Sequence, residues 1–211
     1  MSIILASGSP RRRELLEMLG LAFEVRPARG GEHPPEHAGP EETVLALSEA
    51  KAREVAEHSG PENVIVAADT IVWLDGRLLG KPHSEAEAAQ MLRALSGREH
   101  EVWTGVTVLG CGRALRGAER TLVRFRALSD EEIAAYIATG EPMDKAGAYG
   151  AQGYASLFVE GITGDFFNVM GLPLCRLGKM LAEVGVKLLW RKDRKSTRLN
   201  SSHQAISYAV F

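Results

Sequence analysis

The sequence predicts an α/β protein, a mixed β-sheet with flanking helices and a central cleft. Three observations lead there. Short apolar runs alternate with helical segments that carry capping residues. Residues 63–73 are apolar on both faces, as a central, doubly covered strand is. Two alternating segments near residues 100–125 read as an antiparallel hairpin set within that series, which makes the sheet mixed.

The chain opens with a short strand, Ile3-Ile4-Leu5, that runs into a Ser7-Gly8-Ser9 turn. Pro10 follows where a first helical residue is favoured, and Leu15, Leu16 and Leu19 continue as a helical stripe. Arg11, Arg12 and Arg13 crowd the first helical turn, where the helix dipole disfavours cations by about 0.3–1 kcal/mol each. Exposed N–H groups, small hydroxyls and arginines together suit a phosphate-type anion; a basic surface turn that binds nothing is the plainer alternative.

Residues 22–26 form a second short strand, and 27–40 a loop rich in Pro, Gly and His. Glu32-His33-Pro34-Pro35-Glu36-His37 mixes zinc-type ligands, but its prolines keep them off a common helical face. That argues against zinc and leaves one carboxylate for a magnesium-type ion. Residues 41–58 are a helix whose stripe of Val44, Leu47 and Val55 includes Lys51; an inward lysine either snorkels out or meets an anion.

Asp69 interrupts the apolar run of the central strand. An ionised carboxylate buried there without a partner costs several kcal/mol, so it calls for a metal, a cation or a raised pKa. The alternative is that the strand ends at Ala68 and Asp69 caps a turn. A hairpin at 74–77 leads to Gly80-Lys81-Pro82, a second lysine in a stiff turn.

Ser84 and Ser129 open capping boxes with Glu87 and Glu132, starting helices that stop at Gly97 and Gly140. Between them, strands at 100–108 and 121–125 are joined by a turn at 110–117. Residues 141–153 are a loop with Gly147, Gly150 and Gly153, a spacing that is not the dinucleotide fingerprint; no Walker-A pattern occurs. A strand at 157–162 and a turn at 165–171 follow. Pro173 then opens a last helix that turns Leu174, Leu177, Leu181 and Val184 inward.

The 211 residues suffice for one ample domain or two small lobes sharing a cleft. Cys111 and Cys175 make neither a metal-ligand spacing nor a disulfide framework, the start has no signal-peptide layout, and no apolar run approaches the roughly 20 residues a bilayer requires. The expectation is a cytoplasmic protein without a membrane partner. Residues 190–211 stand apart, with five basic residues, one acidic one and no apolar period. Within them residues 194–211 resemble translated sequencing-adapter or vector read-through; a genuine disordered basic tail is the alternative. Taking the tail's +4 from the chain's −2 leaves −6 on residues 1–189, which form the single folded domain and argue against a general nucleic-acid binder.

Several groups would cost free energy in isolation. They are the helix-start arginines, Lys51, Lys81 and Asp69, with Glu32, Asp144, Lys145 and Asp165 as further candidates. That cationic set exceeds what one carboxylate substrate needs and, with one or two acidic metal ligands, suits a polyphosphate with a divalent ion. With no nucleophile elbow, thiolate site or triad spacing, the simplest chemistry is water attacking phosphorus with a carboxylate as base.

The segments Leu5-Ala-Ser-Gly-Ser-Pro-Arg-Arg, Ala67-Ala-Asp-Thr, Gly80-Lys-Pro, Leu95-Ser-Gly-Arg, Trp103-Thr-Gly-Val, Asp144-Lys-Ala-Gly-Ala-Tyr-Gly-Ala-Gln-Gly and Gly164-Asp-Phe-Phe-Asn-Val-Met-Gly-Leu-Pro-Leu resemble the Maf family. They are spread over residues 3–189. The resemblance implies a fold similar to that of inosine triphosphate pyrophosphatases, and conversion of a nucleoside triphosphate to monophosphate and pyrophosphate. It also implies a divalent cofactor (magnesium, manganese or cobalt) and is consistent with a homodimer.

By the same resemblance Asp69 is the proton acceptor and, with Glu32, a metal ligand. Ser7, Arg11, Arg12, Lys51 and Lys81 line the phosphate cleft. Arg11, Thr70 and Gln152 resemble the specificity trio of the branch acting on dTTP and UTP; an amide such as Gln152 offers the donor and the acceptor a pyrimidine edge requires. The branch acting on N7-methyl-GTP typically has Trp where Arg11 stands. Gly31 departs from the Asp commonly found beside Glu32. Asp144 and Lys145 are either further cleft residues or a structural ion pair. Alternative functions are a nucleotide-binding regulator of septum formation, or the same enzyme acting on a modified purine triphosphate.

Overall fold

The computed structural model describes residues 2–31 and 33–188. Glu32 and the tail at 190–211 therefore lie outside the described residues. Strands β1 (Ile3–Leu5), β2 (Phe23–Val25), β3 (Val64–Leu74), β5 (Glu99–Gly110), β6 (Arg113–Phe125) and β7 (Val159–Thr163) form one sheet in the order β2-β1-β3-β5-β6-β7. The short β4 (Arg77–Leu79) pairs with the distal end of β3. The first three strands are parallel and the remainder antiparallel, so the sheet is mixed.

Among the described residues six α-helices accompany it: α1 (Pro10–Met18), α2 (Pro40–Glu57), α3 (Glu85–Leu95), α4 (Asp130–Ala138), α5 (Phe166–Met170) and α6 (Leu174–Glu183). None of the described helices is long and apolar enough to cross a membrane.

The alternation of β3 divides the core. Val64, Val66 and Ala68 join Leu15, Leu16, Leu177 and Leu181 under α1 and α6, while Val72 and Leu74 meet Leu92, Ile133 and Phe125 under α3 and α4. Ile65 and Ala67 face the other way, with Ile4, Ala6, Ala52 and Val55 under α2. β3 continues through Asp69 without a break, so the turn-capping alternative for that residue is excluded.

Two loops are tighter than the sequence predicts. The turn placed at 110–117 contracts to Cys111 and Gly112, both at positive φ (49° and 71°), a geometry whose twist suits a two-residue hairpin. The polar, glycine-containing start of β6 hid its strand character. Residues 165–171 hold a short helix rather than a bare turn, with the Asp165 side chain capping the Phe167 amide at 2.8 Å.

Gly105 on β5, directly opposite Asp69, sets the height of α2 over the sheet. A Cβ at this position would lie 2.2 Å from the Val44 carbonyl oxygen. Gly105→Ala is expected to lift the helix and destabilise the protein by about 2–3 kcal/mol, measured by urea unfolding.

His100 is buried in the α3–α4 core, where its Nε2 meets the Tyr149 hydroxyl at 2.7 Å and its ring packs edge-on against Phe125. Burial lowers its pKa to about 4. Below pH 6.5 the unfolded chain therefore takes up a proton that the folded one refuses down to about pH 4. The stability His100 confers is complete above pH 6.5 and is lost as pH falls through that window, about 3 kcal/mol in all. In urea titrations at pH 7 and pH 4.5, His100→Gln should show a correspondingly shallower acid loss; an unchanged loss would refute the assignment.

Candidate functional site

The site arises from a gap in the sheet. On the edge of β3 opposite β5, residues 64–66 pair with β1 and residues 72–74 with β4. No described strand pairs with 67–71 on that edge, because the chain leaves β1 at Ala6 for the Ser7–Ser9 turn. Asp69 and Thr70 sit in the middle of the opening. A cleft of about 490 Å³ fills it, at the carboxyl end of β1. Crevices in open α/β sheets lie at such strand ends.

One bank of the cleft is the β1–α1 turn with Ser7, Arg11 and Arg12; the other is Gly80 and Lys81 after β4, with Asp144 and Lys145. Lys51 and Asp69 form its floor. Asp69 is 5 % exposed, and its Oδ1 accepts from Lys51 Nζ. Sheet and helix both enforce this pairing: Asp69 shares the α2 face with Ile65 and Ala67, and Lys51 lies on the inward stripe of α2 two turns after Val44. Lys51 meets an anion rather than snorkelling out.

Arg12 is held in place from three directions. Its Nε donates to the Gly171 carbonyl at 2.8 Å, one terminal nitrogen to Ser7 Oγ at 3.2 Å and the other to Thr70 Oγ1 at 3.0 Å. Lys81 is exposed on the cleft margin.

Asp144 and Lys145 combine the two roles considered for them. They pair at 2.7 Å, Lys145 Nζ also donates to the Glu141 carbonyl at 2.7 Å, and both residues line the cleft. Burial works against the Asp144 charge, but the Lys145 hydrogen bond and the positive fields of Lys145 and Arg11 outweigh it and hold the carboxyl below its usual range.

Ser7, Arg11, Arg12, Lys51, Lys81, Asp69 and Thr70 thus share one cavity. Gln152 does not; it stands exposed on the turn after Gly150, outside the lining. Asp165 is a helix cap rather than a cleft group. The sequence reading missed Tyr149, which lines the cleft and is joined to His100. An aromatic residue inside a glycine-rich loop was the available signal.

Cationic banks, a small hydroxyl and helix-start amides around a buried carboxylate can bind a polyanion and present it to a base. For a divalent ion, the donor set offers Asp69, a hard oxygen ligand beside a phosphate-sized cleft; magnesium commonly binds one or two carboxylates and completes its shell from phosphates and water. Among the described residues no group of three or more His, Cys, Asp or Glu side chains gathers into an all-protein cage. A site completed by the substrate fits these residues.

The sequence matches the family described as Maf-like protein over residues 2–184. It is 52% identical over 191 residues to a protein named dTTP/UTP pyrophosphatase from Moorella thermoacetica, covering 90% of this chain and 98% of the relative. A protein of the same name from Bacillus cereus is 47% identical over 184 residues, with coverages of 87% and 96%. Among solved structures, a nucleoside-triphosphatase / dITP/XTP pyrophosphatase from Mycobacterium abscessus matches 87% of this chain and 97% of its own at 20% identity, with a TM-score of 0.42.

Proposed function

The chain belongs to the Maf family, and from that premise we propose that it hydrolyses dTTP and UTP to the nucleoside monophosphate and pyrophosphate. One observation carries the reading: a carboxylate in mid-strand, 5 % exposed, at the floor of a cleft whose banks present arginines and lysines. The names of the relatives from Moorella thermoacetica and Bacillus cereus support the substrate pair.

In this mechanism Asp69 accepts a proton from the water that attacks the α-phosphorus, and the bond from that phosphorus to the bridging oxygen of pyrophosphate breaks. Ser7, Arg11, Arg12, Lys51 and Lys81 hold the phosphates and meet the charge that grows on the leaving group. Lys51 has a second part. It balances Asp69 before substrate arrives and then turns to the phosphates, freeing the carboxylate for the proton.

A divalent ion held by Asp69 and Glu32 would neutralise phosphate charge and polarise the reacting phosphorus. Pyrimidine choice falls to Arg11, Thr70 and Gln152; lining the cleft supports the first two, whereas Gln152 rests on its motif.

A turnover panel of canonical and modified triphosphates, with products resolved, should show dTTP and UTP as the best substrates, released as monophosphate and pyrophosphate. Tight nucleotide binding without turnover would favour a regulatory role instead. Asp69→Asn is expected to lower turnover by about 10²–10⁴-fold without altering the circular dichroism spectrum; full activity in that variant would sink the role of Asp69. Chelation should abolish turnover, and magnesium, manganese or cobalt should restore it.

A further inference from the structure

We propose that Thr104 is a positioning residue that aims Arg12 by fixing the direction in which the Thr70 hydroxyl points. The inference rests on the reading of the cleft as a triphosphate site, and it follows from counting protons. Thr104 on β5 faces Thr70 directly across the ladder and is fully buried. Its single hydroxyl proton goes to the Asn168 carbonyl at 3.1 Å. In the 2.9 Å contact between the two threonine hydroxyls, Thr104 must therefore accept and Thr70 must donate. With its proton committed, the Thr70 oxygen turns a lone pair to the Arg12 guanidinium, which donates to it at 3.0 Å.

The far end of the relay is rigid. Asn168 is fully buried on α5, and its amide donates one hydrogen bond to the Val102 carbonyl at 3.0 Å and another to Thr121 Oγ1 at 2.9 Å. Both amide protons are used, which sets the orientation of the side chain and ties α5 to β5 and β6. The Asn168 carbonyl is consequently a fixed acceptor, and the polarity of the chain runs one way, from Arg12 through Thr70 and Thr104 to Asn168. One consequence bears on substrate choice: Thr70 offers the cleft an acceptor and no donor.

Thr104→Val keeps the shape of the side chain and removes the acceptor for the Thr70 proton. The freed hydroxyl can then turn its hydrogen toward Arg12, and the guanidinium loses its aim. KM for dTTP should rise about tenfold, and kcat/KM should fall at least as far because Arg12 also meets the leaving-group charge. Thr104→Ser, which keeps the hydroxyl, should restore the wild-type KM, a rescue that a purely packing role for the γ-methyl would not produce.

Because Thr104 acts through Thr70, the double variant Thr70→Val/Thr104→Val should show the KM of Thr70→Val alone. Additive effects, or an unchanged KM in Thr104→Val, would overturn the proposal. Should valine fail to fold, Thr104→Ala reads the same loss. Wild-type turnover without a Thr104 effect defeats this inference alone. If the wild-type protein neither turns over triphosphates nor binds inorganic tripolyphosphate in calorimetry, the triphosphate reading falls and the relay's purpose with it.

Discussion

A carboxylate in the middle of an eleven-residue strand constrains everything around it. Asp69 is almost wholly buried, and its charge is tolerated because α2 brings the Lys51 ammonium against it. That contact requires the helix to ride low over β5, which Gly105 allows by having no Cβ to strike the Val44 carbonyl. β3 is also open on one edge, which exposes to the cleft what the sheet would otherwise seal. The early ends of β1, at Leu5, and of β4, at Leu79, provide that opening.

The two faces of β3 then divide the work. Asp69 points to the α2 side, where the proposed mechanism uses it as the base. Its neighbour Thr70 points to the opposite side, where its hydroxyl accepts from Arg12 and meets Thr104. Adjacent residues on a strand cannot share a face. An Asp-Thr pair at a sheet gap thus places a lysine-paired carboxylate and an arginine-bound hydroxyl on either side of one backbone. The loop carrying Asp144 and Lys145 closes the far bank, with the Gly147 amide bonded to the Gly80 carbonyl at 2.9 Å, which ties the two lysine-bearing turns together.

Much of this was legible in the chain itself. Capping serines, the Pro10 helix start and the apolar run through Val72 announce their elements because each rests on local chemistry. Lys51 on an apolar stripe and Asp69 in an apolar strand announce themselves by their cost, since each is out of place unless something answers it. The two-residue hairpin at Cys111 and the helix after Asp165 were not legible. A polar strand start and a five-residue helix have too little periodicity to register and owe their shape to β5, β6 and the capping carboxylate.

The sequence by itself therefore determined the α/β class, the order of most elements and the list of groups that needed partners. Those follow from periodicity, capping and the free-energy cost of isolated charge. Only the tertiary structure decided which partners met. Lys51 and Asp69 are 18 residues apart in sequence, and Arg12 and Gly171 159 apart. Their convergence depends on sheet order, on where neighbouring strands stop and on how closely a helix approaches, none of which is encoded at short range. The same holds for the proton direction along Arg12, Thr70, Thr104 and Asn168. Each hydroxyl alone points either way, and only the fixed carbonyl at the end of the chain selects one.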